Sequence, residues 1–216
     1  NGADNVVFDG LNSEGNSLTF SNSNAVIYYE GITLSLKNDA SNNTVKRCSI
    51  LGSGIISLYY DPAVIFFGTG NTSGNDNNVI SECNISTAGA NLPVYGIRSS
   101  GSTANEAMFN SGDTIRDCNI YDFFNADRSS SGVSVYNGST NFVIKNNRFY
   151  QTAPRTINAF SSTNKAIEIN NTSGNDFHVT GNIIGHSNPE GTGTYGLTVS
   201  NGSAFVPIDL SAGNAS

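Results

Sequence analysis

Charge is scarce in this chain. Only 12% of its 216 residues are Asp, Glu, Lys or Arg, where about 25% is usual. No stretch combines i, i+3, i+4 apolar spacing with Glu and Lys support, so long amphipathic helices are excluded. The charge that is present is acidic, 17 Asp and Glu against 10 Lys and Arg, for a net −7. A phosphate backbone needs a basic patch, so nucleic acid is not an expected partner. No run of 18 apolar residues exists, which leaves no transmembrane helix. Histidine is nearly missing: His178 and His186 are the only two. Neither has a carboxylate, Ser or Cys partner at a motif spacing, and both are expected at the surface. G-x-S-x-G, Walker, H-E-x-x-H and EF-hand patterns are lacking too. So are an initiator Met and a signal peptide; an opening at Asn1 in mid-phrase points to a processed protein or an excised fragment.

Asparagine and glycine are abundant, with 32 Asn and 23 Gly. Both serve tight turns and tolerate left-handed backbone, so the composition describes an all-β chain of short elements. Its sparse charge and Ser/Thr/Asn/Gly-rich surface point to an extracellular or cell-surface location. One six-residue phrase recurs five times: VKRCSI from Val45, ISECNI from Ile80, IRDCNI from Ile115, IKNNRF from Ile144 and VTGNII from Val179. Each copy starts with a β-branched aliphatic, has Cys or Asn fourth and ends in Ile or Phe. The steps between copies are about 35, 35, 29 and 35 residues, the mark of a repeat architecture. All three cysteines, Cys48, Cys83 and Cys118, fall on the fourth position, where Asn147 and Asn182 complete the series. Three thiols cannot all pair within one chain. At one repeated inward position they read as small buried hydrophobes and free thiols, since stacked parallel side chains point the wrong way for a disulfide.

Between the phrases lie segments with alternating apolar residues: ITLSL at Ile32, AVIFF at Ala63, VYGIR at Val94, GVSVY at Gly132, AIEIN at Ala166 and GLTVS at Gly196. Alternation is the period of half-buried strands. Each unit reads strand, Asn/Gly/Asp turn, short strand, two-residue corner, short strand, loop. The corner pairs are Lys46-Arg47, Ser81-Glu82, Arg116-Asp117, Lys145-Asn146 and Thr180-Gly181. With its stacked phrase and inward Asn positions, the chain resembles the right-handed parallel β-helix (β-solenoid) family of secreted and cell-surface proteins. The resemblance runs from Val6 to about Val199 and implies one domain over 1–216, with about six coils and long protruding loops. The loops expected are LGSGIISLYYDP, STAGANLP, YDFFNADRSS, YQTAPRTINAFSSTN and GHSNPEGTGTY. Such a fold does not by itself define a function.

Chemistry is harder to find. The outward positions of the alternating segments are Thr33, Ser35, Gly96, Arg98, Ser134, Tyr136, Glu168, Asn170 and Thr198, a row with no convergent carboxylate pair. Glu82 and Asp117 lie one coil apart beside Arg116 and Lys145, which reads as a solvated charge mixture. No cofactor is expected. Asp39, Asp76, Asp113 and Asp176 precede the repeated phrases, and NTSGND occurs from both Asn71 and Asn171; aligned carboxylates there can bind structural calcium, but their offsets differ from coil to coil and Asx-turns account for them adequately. Tyr59, Tyr60, Phe123, Phe124 and Tyr150 follow the phrase, either as a sugar-stacking platform or as anchors for the loops.

Neither end carries an amphipathic helix to cap a solenoid. NVVFDG, with Val6, Val7 and Phe8, opens the stack, and AFVPIDL, with Phe205, Val206, Ile208 and Leu210, closes it, with Pro207 blunting the edge. Exposed ends of this kind favour head-to-tail addition, which does not close. The expectation is an extracellular structural or adhesive protein, a filament subunit whose partner is itself. The alternatives are a carbohydrate-active β-helix, lyase or hydrolase, relying on Arg98 and Glu168, or a polysaccharide-binding module without catalysis.

Overall fold

The structure, a computed structural model, describes residues 2–11, 18–24, 31–54, 63–199 and 202–213. It is a parallel β-helix. Three six-stranded parallel sheets wrap one core, and each coil visits face A, then B, then C before rising to the next. Face A is built from Val7–Asp9, Thr44–Lys46, Val79–Ser81, Thr114–Arg116, Val143–Lys145 and His178–Thr180. Face B holds Leu18–Ser21, Cys48–Gly52, Asn84–Thr87, Asn119–Tyr121, Arg148–Tyr150 and Ile183–His186. Face C holds Leu34–Leu36, Ala63–Phe67, Tyr95–Ser99, Ser130–Tyr136, Thr163–Asn171 and Ala204–Ala212.

Strands of three to nine residues cannot bury an apolar face alone, so stability comes from stacking. Register puts Phe8, Val45, Ile80, Ile115, Ile144 and Val179 in one column on face A. On face B the column is Phe20, Ile50, Ile85, Ile120, Phe149 and Ile184. On face C it is Leu34, Ile65, Ile97, Val133, Ile167 and Ile208. The middle members are fully buried, each contributing roughly 1.5–3 kcal/mol.

The corner between faces A and B differs from the expected two-residue bend. Its first member still belongs to the face A strand, and a single residue turns the chain. Arg47, Glu82, Asp117 and Asn146 sit at φ 55, 54, 56 and 55°, and Gly181 at 65°. A left-handed residue with a Cβ costs about 1–2 kcal/mol. The stack holds it there: the N–H groups of Arg47, Glu82, Asp117 and Asn146 donate to Ser81, Arg116, Lys145 and Thr180 carbonyls of the next coil at 3.0–3.1 Å. A second left-handed column turns face C into face A, at Asn5, Asn42, Asn77, Gly112, Asn141 and Asp176. There every residue is Asn, Asp or Gly, the types that tolerate this conformation.

The last coil also departs from expectation. Leu197–Val199 does not join face C; it pairs with Arg155–Ile157 as a two-stranded sheet between neighbouring loops. The sixth strand of face C is Ala204–Ala212, so the β-helix continues past Val199 to Ala212. Periodicity cannot choose between two alternating segments; only the register with Thr163–Asn171 does.

Candidate functional site

Replacing Thr198 by Asp209 changes the outer row of face C. Glu168 and Asp209 are opposite each other in adjacent strands. Lys165 Nζ lies between them, 2.5 Å from Glu168 Oε1 and 2.8 Å from Asp209 Oδ2. The row therefore does hold a carboxylate pair. Glu168 is 5% exposed, and its Oε2 accepts from Ser131 Oγ at 3.0 Å, Ser134 Oγ at 2.9 Å and Tyr136 OH at 3.4 Å. The Tyr136 ring in turn faces the Arg98 guanidinium at 4.8 Å, and Tyr95 flanks it at 5.0 Å. Burial by itself would lower the Lys165 pKa, but hydrogen bonds to Asp209 and Glu168 outweigh it and hold the value above the ordinary one. Two cations and two anions thus share one patch spanning the third to sixth coils. It can clasp neighbouring strands, and its exposed rim at Asp209 faces solvent.

Among the described residues, the long loops between faces B and C touch one another. Gly54 N–H donates to Asn91 O, Phe124 N–H to Pro93 O and Asn158 N–H to Ala126 O. A cavity of about 380 Å³ opens among Gly54, Asn91, Leu92, Phe124, Asn125 and Asp127. Phe123, Phe124 and Tyr150 are 2, 7 and 6% exposed, which is the arrangement of loop anchors. Phe123 packs edge-on against Phe149, and Arg155 lies over the Phe124 ring. Tyr150 stacks on Tyr121 with centroids 4.7 Å apart. Asp122 ties this corner, accepting from Thr152 N–H at 2.9 Å, Thr152 Oγ1 at 2.7 Å and Arg155 at 2.5 Å. Tyr59 and Tyr60 lie outside the described residues.

The four turn aspartates do different work. Asp39 accepts five hydrogen bonds from Asn71, Thr72 and Ser73, four of them backbone N–H. Burial would raise its pKa, yet these donors bring it below the ordinary 3.8. Asp76 accepts from Ser111 N–H at 2.9 Å, and burial lifts its pKa. Asp113 is fully buried on the inward side. Asp176 is an exposed left-handed turn residue. Among the described residues, no three His, Cys, Asp or Glu side chains converge on a point able to hold a metal ion.

Inward polar ladders flank the aliphatic columns, among them one through Asn75 and Asn110, where Asn75 N–H and Nδ2 donate to Asn110 Oδ1 at 3.0 and 2.9 Å. In the ladder of the repeated phrase, Cys118 N–H donates to Asn147 Oδ1 at 3.0 Å and Asn147 N–H to Asn182 Oδ1 at 2.9 Å, while Asn147 Nδ2 reaches Ile115 O at 3.0 Å. The three cysteines are free and buried, their sulfurs turned to backbone carbonyls two residues back at 3.1–3.2 Å. Burial, reinforced by neighbouring Cys83, pushes the Cys48 thiol up to about 11. The ladder of Asn43, Asn78 and Asp113 was not anticipated. Its signal was present in the sequence, as an Asn or Asp two residues before Val45, Ile80 and Ile115.

No family model matches this chain, and neither a curated protein nor a solved structure resembles it significantly.

Proposed function

We propose that this chain is a structural or adhesive β-solenoid acting outside the cell or on its surface, a rod that lengthens by stacking head to tail on copies of itself. The observation that supports this reading is the match between the two ends. Among the described residues, one end exposes Val7 and Phe8, and the other Ile208 and Leu210. A hollow of about 400 Å³ lined by Ile169, Phe177, Val179 and Leu210 opens at the latter. Extending the register by one step sets Val179 over Phe8 of the next copy, Ile184 over Phe20, Ile208 over Leu34 and Leu210 over Leu36. In these four columns apolar side chains meet across the junction, and low charge leaves little repulsion to oppose contact. Such a contact is heterologous and yields open filaments. Sedimentation velocity and negative-stain microscopy over rising concentration test it: elongated species of constant width are expected, and discrete monomers at high concentration overturn it.

The Glu168–Lys165–Asp209 arrangement favours a second reading, a carbohydrate-active flank. Paired carboxylates are the machinery of glycoside cleavage, although here a lysine neutralises them. Release of reducing or unsaturated ends from acidic polysaccharides, lost in Arg98→Ala or Glu168→Ala, would place this reading first.

A further inference from the structure

The Asn43–Asn78–Asp113 ladder has an acid at its last polar rung, and its hydrogen bonds specify the state of that acid. In the two asparagine rungs the pattern is constant. Asn43 N–H and Nδ2 donate to Asn78 Oδ1 at 3.1 and 2.9 Å, and Asn78 N–H and Nδ2 donate to Asp113 Oδ1 at 2.8 and 3.0 Å. Each Nδ2 spends its second hydrogen on a main-chain carbonyl: Asn43 on Ala3 O at 2.7 Å, Asn78 on Ala40 O at 3.0 Å. Asparagine rungs therefore need two side-chain hydrogens, one for the next rung and one for the backbone.

Asp113 stands where that requirement changes. The following coil places Phe142, 1% exposed, immediately before Val143, the register partner of Thr114. A phenyl ring accepts nothing, so an amide at 113 would bury one unused N–H. A carboxylic acid carries a single hydrogen, which suits the carbonyl that follows Ala40 in the repeat, that of Asn75. As a carboxylate, Asp113 instead buries an oxygen without a donor: Oδ2 has no hydrogen-bond partner, and the residue is 0% exposed. No cation faces it. The neighbouring groups are Asn75 and Asn78 on the coil below, Gly112 and Thr114 alongside, and Phe142 and Val143 above; half-buried Asp76 adds a like charge.

We propose that Asp113 is held as the neutral acid, a one-proton substitute for asparagine that locks the fourth coil to the third and loosens as pH rises. Burial, with Asp76 adding to it, pushes its pKa well above the ordinary 3.8. A raised folded pKa contributes stability that is complete below the unfolded value near 3.9 and is lost as pH rises through the folded value.

Thermal unfolding of the full chain and of Asp113→Asn between pH 4.5 and 7.5 tests this. The wild-type Tm should fall by at least about 3 °C more than the variant's over that range, the equivalent of one tenfold change in proton affinity for a chain of this length. Infrared difference spectra against Asp113→Asn should show a protonated carboxyl band at neutral pH. Asp113→Leu, which removes the acceptor for Asn78, should destabilise at both pH values. Identical pH dependence in wild type and Asp113→Asn, or no protonated band, overturns the proposal.

Discussion

Arg47, Glu82, Asp117 and Asn146 hold the same left-handed conformation as Gly181, so one backbone requirement meets five side-chain types. Glu82→Gly removes a Cβ from that conformation, against the extra freedom glycine gains when unfolded. The expected result is a stability unchanged or raised by up to about 1 kcal/mol in urea unfolding. Gly181→Ala runs the other way. Its φ of 65° strains the new Cβ, which also collides with Asn146 Oδ1, and a loss of about 1–2 kcal/mol is expected by the same measurement. Asp39 offers a second test. With its folded pKa depressed by Asn71, Thr72 and Ser73, it contributes stability above the unfolded value near 3.9 that is lost as pH falls through the folded value. Asp39→Asn should therefore be less stable than wild type at pH 7 and lose less on acidification towards pH 3, as read by Tm. That sign is opposite to the one at Asp113, because donors surround one carboxyl and nothing donates to the free oxygen of the other.

For strands and ladders the question is how short elements stay in register. The aliphatic columns supply cohesion but tolerate sliding among similar side chains. The amide rungs do not, because each acceptor position is singular. Asn147 is fully buried and links three coils, receiving Cys118 N–H and donating to Ile115 O and Asn182 Oδ1. Asn147→Leu keeps the volume but strands a buried donor and a buried acceptor, so a loss of about 2–4 kcal/mol in urea unfolding is expected. The cysteine rungs hold the same place more weakly, with Cys83 N–H meeting Cys118 Sγ at 3.5 Å. Pro207 belongs to this scale as well. Ala204 N–H donates inward to Ser162 O, and alternation turns the nitrogen of Pro207 to the open side, where its missing donor interrupts further pairing.

Assembly belongs to the whole molecule, and one rung makes it testable. In the proposed junction the apolar columns continue, but Asn182 meets Leu18, the register partner of Cys48, where an asparagine would accept its N–H. The junction is thus weaker than the coil-to-coil contacts inside the chain. Leu18→Asn should restore the acceptor and shift sedimentation towards longer species at equal concentration, by roughly threefold to tenfold in association constant for about 1 kcal/mol. A variant that associates no better than wild type argues against stacking through these ends.

Much of this was legible in the sequence. The repeated phrase fixes which residues face inward, because a Val or Ile, a Cys or Asn and a final Ile or Phe recur with one spacing while the corner stays polar. The stacked parallel sheets follow from that, as does the burial of all three thiols. The Asp113 ladder was visible too, as an Asn or Asp two residues before three of the copies. What the sequence could not decide was which of two alternating segments closes face C, since Leu197–Val199 and Ala204–Ala212 carry the same period. The tertiary structure decides it through register with Thr163–Asn171, and with it the pairing of Glu168 and Asp209 through Lys165. It also decides that a lone left-handed residue makes the A–B corners at Arg47, Glu82, Asp117, Asn146 and Gly181. The physical reason is common to both: periodicity reports which way a side chain faces, whereas its neighbour is set by a strand one coil away, about 35 residues distant in the chain.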